Sequence, residues 1–441
     1  MTTPRIVITG MGWVTPLGTS IDSVWERLLR GDSGISRVDR FDAGTFKTNF
    51  AAQIHRFNLA DHLDDAAQHA ECGHSTKYAL AAAGAAMRMS GLDRFGGLNK
   101  RRFGIYMGAG EGTLDFPNYS MAHAASYNAE TQTCDGVEFA RRATATLTAV
   151  TEMEQEPNLT LSHVAWRFGC RGPASNCMTA CAAGAQSVGE AFELLRRGDT
   201  DVMLAGGAHS MIHPLGMTGF IRLTAMSRRV DDFLHAARPF DRTRDGFVMG
   251  EGAGMLVLET ESHAKARGAN ILAEVAGYGS SADAYRITDI QPDGRGAIAS
   301  MSAACKQAGI DPKKLGADGR PPVHYISAHG TGTKENDKIE TRAVKGLFGE
   351  HAPRVPFSSV KSTLGHLIQA AGTVELITCV QAIKTGMLPP TMNLREPDPD
   401  CDLDYVPNAP RDLRKEGVHV CLSNSFGFGG QNDTVCVRRY A

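Results

Sequence analysis

The sequence predicts an α/β protein in which helices cover a mainly parallel sheet and the two halves of the chain resemble each other weakly. β-branched strand patterns alternate with helical patterns along the whole length, which is typical of such sheets. The helices that open at residues 181–184 and 370–372 begin with similar small residues. No Pro- or Ser-rich linker separates the halves, so we expect one compact body divided as 1–259 and 260–441.

The first half alternates strand and helix patterns. Residues 5–9 form a β-branched run that ends at Gly10, and residues 21–30 have helical spacing. Two helix-to-strand pairs follow, at 76–89 with 102–107 and at 181–197 with 201–205. Residues 118–159 are polar and irregular, and the pattern there assigns no element.

The second half continues the alternation and closes on two strands. Its predicted strands are 255–259, 271–277 and 322–328, and its predicted helices are 297–308 and 367–385. The last two strands, 418–423 and 433–437, are joined by the glycine-rich loop 426–430. The chain is therefore expected to end in a β-pair.

Composition limits the classes of protein to consider. The 441 residues are 42% hydrophobic and 21% charged, which excludes a disordered or fibrous chain. With 46 basic and 48 acidic residues the net charge is -2, so no general attraction for nucleic acid or an anionic membrane is expected. There is no signal-like apolar region at the start and no run of about 18 apolar residues. We expect a cytoplasmic protein that binds neither nucleic acid nor membrane.

The sequence also argues against a metal or nucleotide site. The ten cysteines are scattered through a large chain, which is typical of reduced thiols. Cys177 and Cys181 have no downstream Cys/His pair at a zinc-like spacing. Gly10 and Gly12 follow a strand as in a dinucleotide fingerprint, but Thr15 stands where the next glycine is required, and no phosphate-binding loop occurs.

Cys181 is the strongest local candidate for chemistry. Small residues surround it at a strand-to-helix turn, where the positive end of the helix dipole favours a thiolate. An effect of up to about 2 kcal/mol lowers a thiol pKa by roughly 1.5 units. On this segment alone, a buried structural thiol remains the stronger interpretation.

Two histidines change that interpretation. His329 follows a buried strand, and His366 precedes an apolar helix, with Lys361 one loop away. Both histidines lie in loops rich in Gly, Ser and Thr, where the backbone can approach a ligand closely. A cysteine with two histidines can activate a thiolate, or the histidines can donate two hydrogen bonds to an oxyanion or enolate.

Nearly the whole chain resembles the elongating β-ketoacyl-acyl carrier protein synthases, closest to the synthase II branch of the thiolase superfamily. The resemblance is carried by the order and spacing of eight segments: 7–12, 179–181, 238–241, 244–247, 250–254, 329–333, 361–366 and 423–432. It implies a thiolase-like five-layered αβαβα fold of two pseudo-duplicated halves and a homodimer, or a heterodimer with a second ketosynthase-like chain.

The resemblance also implies residue roles. Cys181 accepts an acyl chain from the phosphopantetheine of an acyl carrier protein, and His329 and His366 assist malonyl decarboxylation and stabilise the enolate. The backbone N–H groups of Cys181 and Phe426 form an oxyanion hole, and Phe426 gates the acyl pocket. Further roles are implied for these residues: Lys361 with Glu340 orients the histidines, Asp337 supports them, and Thr331, Thr333 and Phe428 contact substrate. No cofactor beyond the carrier's phosphopantetheine and no metal is implied.

The substrate pocket departs from the family pattern. Glu111 stands where the family usually has a small or aliphatic residue that shapes the acyl pocket. An unpaired carboxylate beside an alkyl chain is costly, so Glu111 either turns to a polar partner or marks a short, polar or unsaturated substrate. Glu152, Glu154 and Glu156 lie where the family builds a pocket wall on the dimer side, which also indicates a specialised substrate.

The carrier-docking surface departs as well. Residues 61–74 are acidic, whereas the family usually offers Lys and Arg there to an acidic carrier. Arg228 and Arg229 remain candidate docking charges. Either a dedicated carrier has an altered surface, or segment 61–74 is a solvated face and docking occurs elsewhere.

The predicted function is condensation in type II fatty acid or polyketide-like biosynthesis. One alternative is a specialised polyene- or aryl-primed ketosynthase with a dedicated partner. Another is a non-catalytic chain-length factor, although such partners typically lack the active-site cysteine. A Cys-His hydrolase has no assigned base to activate water, and a decarboxylase that never condenses is chemically feasible.

Overall fold

A computed structural model describes residues 3–110, 114–287 and 290–441. The β-strands are β1 (Ile6–Val14), β2 (Ser36–Arg37), β3 (Phe50–Ala51), β4 (Phe103–Ala109), β5 (Tyr127–Asn128), β6 (Thr133–Cys134), β7 (Ala174–Cys177), β8 (Val202–His209), β9 (Gly252–Thr260), β10 (Ala273–Ala282), β11 (Tyr325–Ser327), β12 (Phe357–Ser358), β13 (Met387–Leu388), β14 (Arg411–Asp412), β15 (Val420–Gly427) and β16 (Gln431–Arg438).

The α-helices alternate with these strands. They are α1 (Ile21–Arg30), α2 (His74–Ser90), α3 (Phe116–Ser126), α4 (Gly136–Thr146), α5 (Ala149–Met153), α6 (Leu159–Phe168), α7 (Ala183–Arg196), α8 (Pro214–Arg222), α9 (Glu261–Ala266), α10 (Arg295–Gln307), α11 (Lys334–Phe348), α12 (Lys361–Leu364) and α13 (Ala371–Thr385). In the described part of the chain, no helix is both long and apolar enough to cross a membrane.

The largest sheet is built from two halves that share one topology. Its strands run in the order β12-β11-β15-β16-β10-β1-β9-β8-β4-β7. The first strand of each half in chain order, β1 or β10, lies at the junction, where the two pair antiparallel. The third large-sheet strand of each half, β7 or β12, lies at the outer edge. The weak internal similarity of the sequence therefore corresponds to a duplicated strand order.

Helices α7 and α13 lie between the two half-sheets. α7 packs against β4 and β8, and α13 packs against β11 and β15. α2 covers the first half-sheet from outside, and α10 covers the second. Residues 371–383 of α13 are all buried, as expected for a helix enclosed between two sheets. The predicted five-layered α/β fold is confirmed, whereas the division at residues 259 and 260 stays a prediction.

The prediction of a mainly parallel sheet is wrong. Five of the nine pairings in the large sheet, including all those around the junction, are antiparallel. Only the outer pairings β12-β11, β11-β15, β8-β4 and β4-β7 are parallel. β15 and β16 are joined by a short loop without a helix, and such consecutive strands pair antiparallel. β8 and β9 also pair antiparallel, across a longer connection that contains α8.

Some element bounds follow directly from local chemistry. Helix α1 has the predicted bounds, because Ser20 caps its first turn and Gly31, with a φ of 74°, ends it. The unassigned segment 118–159 contains α3, α4 and α5, which open at the capping side chains of Asp115, Asp135 and Thr148. Its polar composition concealed them because these helices are largely exposed.

Candidate active site

Cys181 lies in the 3-10 turn Ala180–Ala182, between the edge strand β7 and helix α7. Ala180 has a φ of 46°, in the left-handed region that few non-glycine residues adopt. The side chain of Cys181 is 4% exposed and packs in an apolar cluster with Ile212 and Phe247. The predicted position at a helix N-terminus is therefore confirmed, but the thiol is enclosed.

Burial is the largest influence on the pKa of the Cys181 thiol. Loss of water raises the pKa of this thiol to about 12, and nearby Lys361 offsets only part of that effect. Desolvation therefore opposes the lowering of the thiol pKa that the helix N-terminus suggested. Cys181 rests as a thiol and must lose its proton during the reaction.

His366 approaches the sulfur directly. Its Nε2 lies 3.0 Å from Sγ of Cys181, and its Nδ1 accepts a hydrogen bond from the backbone N–H of Ile368 at 3.2 Å. Because Nδ1 accepts, the neutral ring carries its proton on Nε2, which then donates toward the sulfur. Burial, followed by the charge of Lys361, holds the pKa of His366 well below its ordinary value.

His329 completes a group of three side chains. Its ring centroid lies 5.5 Å from that of His366 and 5.6 Å from that of Phe426. Burial and the charge of Lys361 hold the pKa of His329 well below its ordinary value, so the ring is neutral. Its Nδ1 is buried and has no hydrogen-bond partner among the described residues, as expected where a ligand supplies one.

Lys361 and two carboxylates fix the backbone around His329. Nζ of Lys361 donates to the carbonyl oxygen of His329 at 2.6 Å and pairs with Glu375 of α13. Glu340 accepts from the N–H groups of His329 and Gly330 at 2.9 and 2.8 Å. Lys361 and Glu340 both hold the His329 backbone, as the resemblance implied, and the carboxylate that pairs with Lys361 is Glu375.

Sequence reasoning missed Glu375 because it lies on a different element, although a signal was available. It is the single acidic side chain of the otherwise apolar α13. Burial raises the pKa of Glu375 to about 7, and the Lys361 ammonium works against that shift. A carboxylate in an enclosed helix predicts a buried cationic partner.

The loop after His329 is held by Asp337, as the sequence suggested. The Asp337 carboxylate accepts from the N–H groups of Gly332 at 3.2 Å and Phe240 at 2.8 Å. In this loop Thr331 and Thr333 are joined through their hydroxyls at 3.0 Å. Both threonines face the cavity that leads to Cys181.

A cavity of about 550 Å³ connects Cys181 to the surface. The two histidines and Phe426 lie at its inner end, Thr331 and Thr333 along it, and half-exposed Leu223 and Tyr285 at its mouth. The cavity therefore gives a ligand access to the thiol. Glu111, predicted to shape the pocket, lies outside the described residues.

The two phenylalanines of the glycine-rich loop have different positions. Phe426 belongs to β15, pairs with Asn432 of β16 and is 4% exposed. Phe428 follows the strand, is 37% exposed and lines the cavity. The N–H groups of Phe428 and Cys181 reach Sγ. The Phe428 N–H is therefore the candidate second oxyanion-hole donor, in place of the Phe426 N–H that the resemblance implied.

The two predicted docking arginines lie in different environments. Arg228 is exposed and lines a surface groove together with Lys47 and Arg222. Arg229 is partly buried, and its guanidinium donates to the carbonyl oxygen of Thr243 at 2.8 Å. Arg229 is therefore a structural side chain, whereas Arg228 belongs to a basic groove beside the cavity mouth.

The donor atoms of Cys181, His329 and His366 lie within 4.8 Å of one another. Sulfur and imidazole nitrogen are ligands that zinc prefers. The same atoms, however, form the thiol-imidazole hydrogen bond, and the expectation of no metal stays a prediction.

Comparison with known proteins shows that the similarity extends far beyond this group of residues. The family model for the β-ketoacyl synthase N-terminal domain matches residues 3–264, and that for the C-terminal domain matches residues 272–395. The chain is 38% identical over 439 residues to 3-oxoacyl-(acyl-carrier-protein) synthase 2 of Staphylococcus aureus, covering 99% of this chain and 98% of the relative. The corresponding protein of Synechocystis is 39% identical over 436 residues, with the same coverage.

Solved structures give the same result. A β-ketoacyl synthase from Burkholderia phymatum superposes with a TM-score of 0.86 at 32% identity, covering 99% of this chain and all of that one. A type II polyketide ketosynthase, solved with its acyl-carrier protein and a bound hexaketide, has a TM-score of 0.85 at 32% identity over both full chains. The ishigamide ketosynthase/chain length factor has a TM-score of 0.84 at 32% identity over both full chains. With both domain models matched and near-complete relatives above 30% identity, this chain belongs to the β-ketoacyl synthase family.

Proposed function

We propose that the chain condenses a malonyl group with an acyl chain held on Cys181, both delivered by acyl carrier protein, in fatty acid or polyketide synthesis. The observation that carries the proposal is the 3.0 Å contact between Nε2 of His366 and Sγ of Cys181, at the inner end of a cavity that also contains His329. A nucleophile with two neutral hydrogen-bond donors suits both half reactions.

The first half reaction is acyl transfer. Sγ of Cys181 attacks the thioester carbonyl carbon of the acyl carrier, and the bond from that carbon to the pantetheine sulfur breaks. The N–H groups of Cys181 and Phe428 stabilise the oxyanion. The thiol proton goes to the departing pantetheine sulfur. Because burial raises the pKa of the Cys181 thiol to about 12, this proton has to move during the attack. Nε2 of His366 already carries a proton, so this ring stabilises the developing negative charge on the sulfur as a donor and does not remove the thiol proton.

The second half reaction starts with decarboxylation. The bond between the malonyl carboxylate and its α-carbon breaks, carbon dioxide leaves, and negative charge develops on the thioester oxygen. Neutral His329 and His366 can donate to that oxygen, and a donor of this kind is typically worth about 2.7 to 4 kcal/mol. The enolate carbon then attacks the acyl carbon on Cys181, and the released thiolate is reprotonated.

The proposal needs no cofactor beyond the phosphopantetheine arm of the carrier. The basic groove of Lys47, Arg222 and Arg228 supports docking of an acidic carrier next to the cavity mouth. Such a surface explains how docking can occur although segment 61–74 is acidic. We also propose that the chain works in the cytoplasm, where carrier-bound substrates are present.

We propose a homodimer formed through the edge strand β7 and the helices around it. Trp166, on helix α6 that packs against β7, is 61% exposed and supports this surface. Met121 and Val137, on the mutually packed helices α3 and α4, are 64% and 80% exposed. An unpaired edge strand beside an apolar patch is typical of an interface. One structural relative is a ketosynthase with a chain length factor, so a mixed dimer is the alternative. Sedimentation of the purified chain at micromolar concentration distinguishes a dimer from a lone subunit that lacks its partner.

The direct test is a condensation assay. Purified protein is mixed with octanoyl and malonyl carrier protein, and the carrier is analysed by mass spectrometry for the 3-oxodecanoyl product. We expect product with the wild type and none with Cys181→Ala. Product formation at an equal rate by Cys181→Ala contradicts the proposal, and malonyl loss without condensation favours a decarboxylase.

A further inference from the structure

Two buried polar side chains near Cys181 take no part in the steps above. Oε1 of Gln369 and Nε2 of His209 have no hydrogen-bond partner among the described residues. The two side chains are 6% and 3% exposed. Because an unpaired buried polar atom is unfavourable, such atoms in a folded protein indicate a ligand or a bound water.

Gln369 occupies in the second half of the fold the place that Cys181 occupies in the first. Cys181 is the middle residue of the 3-10 turn Ala180–Ala182 before α7, and Gln369 is the middle residue of Ile368–Ala370 before α13. Ala180 and Ile368 have φ values of 46° and 43°. Such a φ is strained for a β-branched residue, and strain of this kind concentrates at functional sites.

Gln369 lies at the carboxyl ends of the parallel strands, where three glycines leave room for it. A Cβ added to Gly207 or Gly184 would lie 2.1 or 2.6 Å from the backbone oxygen of Gln369. A Cβ added to Gly110 would lie 2.0 Å from its side-chain nitrogen. The close approach therefore requires glycine at each position. Ligands of open α/β sheets bind at this end of the strands.

His209 ends strand β8 next to Gln369. Burial lowers the pKa of His209 to about 4, and a hydrogen-bonding interaction with the Gln369 side chain, which faces the ring without coming within ordinary hydrogen-bond distance, acts in the opposite direction. The ring is therefore neutral at ordinary pH and offers one donor and one acceptor. His209 also lies within electrostatic reach of His366. The two unpaired atoms thus belong to the surroundings of the nucleophile.

The direction of the acyl chain follows from the order of the two half reactions. Both carriers bring their arms through the same cavity, so the acyl chain on Cys181 has to vacate it before the malonyl group enters. Cys181 packs in an apolar cluster that includes Met217, Phe247 and Ile368. Methionine side chains adapt to different chain shapes. Gln369 follows Ile368 directly, and His209 ends β8 three residues before Ile212 of the same cluster, so both polar side chains lie at its edge.

We propose that Gln369 and His209 bind a hydroxyl or enol oxygen on the acyl chain that Cys181 carries. The inference deepens the proposed function and rests on it. Such an O–H group donates to Oε1 of Gln369, and its oxygen accepts from Nε2–H of His209, so both unpaired atoms are satisfied together. A fully saturated chain leaves the two side chains with only each other as partners. Sites built to hydrogen-bond a hydroxyl discriminate strongly against the analogue that lacks it.

The test compares acyl loading of the full-length protein by intact mass spectrometry. The probes are carrier proteins with octanoyl, 3-hydroxyoctanoyl and 5-hydroxyoctanoyl groups, mixed in pairs. We expect wild type to load at least one hydroxylated chain about tenfold faster than octanoyl. Gln369→Leu and His209→Phe should lose that preference while still loading octanoyl. The rate ratio is measured within each variant, so a change in total activity does not affect it.

Gln381→Leu is the matched control. Gln381 is also a buried glutamine with both side-chain polar atoms unpaired, but it lies about 18 Å further along α13. It should keep the wild-type preference. Equal or faster loading of octanoyl by wild type overturns the inference, and so does a preference that both site variants retain. Absence of any adduct with every probe instead contradicts the proposed function.

Discussion

Lys361 holds the backbone of His329 and not its imidazole ring. Its Nζ donates to the His329 carbonyl oxygen at 2.6 Å, and the same ammonium is paired with Glu375. All three side chains are almost completely buried. Lys361 is therefore a positioning residue, which fixes where the His329 ring stands relative to Cys181.

The buried pair predicts separate effects on stability and on activity. Glu375→Leu leaves the Lys361 charge buried and unpaired, so the free energy of unfolding should fall by about 3 to 5 kcal/mol. The double variant Lys361→Met with Glu375→Leu removes both charges and should recover most of that stability. It should still condense poorly, because the His329 carbonyl has lost its donor. Urea unfolding and the condensation assay measure the two effects.

The control for this prediction is an exposed ion pair. Lys338 and Glu335 lie 2.9 Å apart on the surface of α11, and Lys338→Met should change the free energy of unfolding by less than about 1 kcal/mol. A double variant that condenses at the wild-type rate would show that Lys361 does not position His329.

Removing the nucleophile should leave decarboxylation in place. Cys181→Ala cannot carry an acyl chain, but both histidines remain neutral donors toward the malonyl thioester oxygen. We expect this variant to release carbon dioxide from malonyl carrier protein, whereas His329→Ala and His366→Ala should each lose about a hundredfold or more. Carbon dioxide release is followed with radiolabelled malonyl carrier. If all three variants decarboxylate equally, the histidines do not stabilise the enolate.

The pH dependence of thiol alkylation tests the protonation state of Cys181. Burial raises the pKa of this thiol to about 12, so the thiolate fraction should grow with pH throughout the neutral range. The rate of iodoacetamide addition at Cys181 should rise roughly tenfold per pH unit between about pH 6 and 9. Exposed Cys134 is changed to serine to remove background. A rate that is already constant below pH 8 would reveal a resting thiolate-imidazolium pair.

Close packing between α7 and α13 predicts that Gly184 tolerates no side chain. A Cβ there would lie 2.6 Å from the backbone oxygen of Gln369 and 3.0 Å from Oγ1 of Thr373. Gly184→Val should lower the free energy of unfolding by about 1 to 3 kcal/mol and impair acylation. Gly136, which has open space around its Cβ position, is the control. Gly136→Ala should stay within about 0.5 kcal/mol of wild type.

The three side chains that the structure brings together each have a local signal in the sequence. Cys181, His329 and His366 stand in small-residue or glycine-rich loops next to buried strands, and the duplicated topology brings those loops together. Helix α1 was predicted to the residue because both of its ends carry capping residues. Local chemistry was sufficient in these places.

The features that could not be predicted depend on relationships between distant segments. Glu375, which pairs with Lys361, could not be predicted because a helix from another layer delivers it. The Phe428 N–H near Cys181 depends on how the loop after β15 folds back over the nucleophile. A helix dipole can be inferred from sequence, whereas the desolvation that raises the Cys181 pKa depends on the whole fold. The correspondence between Gln369 and Cys181 could not be predicted either, because it depends on the superposition of the two halves.

The most direct test of the central claim is to identify the acylated residue. The protein is incubated with octanoyl carrier protein, its intact mass is measured, and the modified peptide is sequenced by mass spectrometry. The account predicts one octanoyl group, attached to the peptide that contains Cys181 and absent from Cys181→Ala. An octanoyl group on another cysteine, or an adduct that persists in Cys181→Ala, would contradict it.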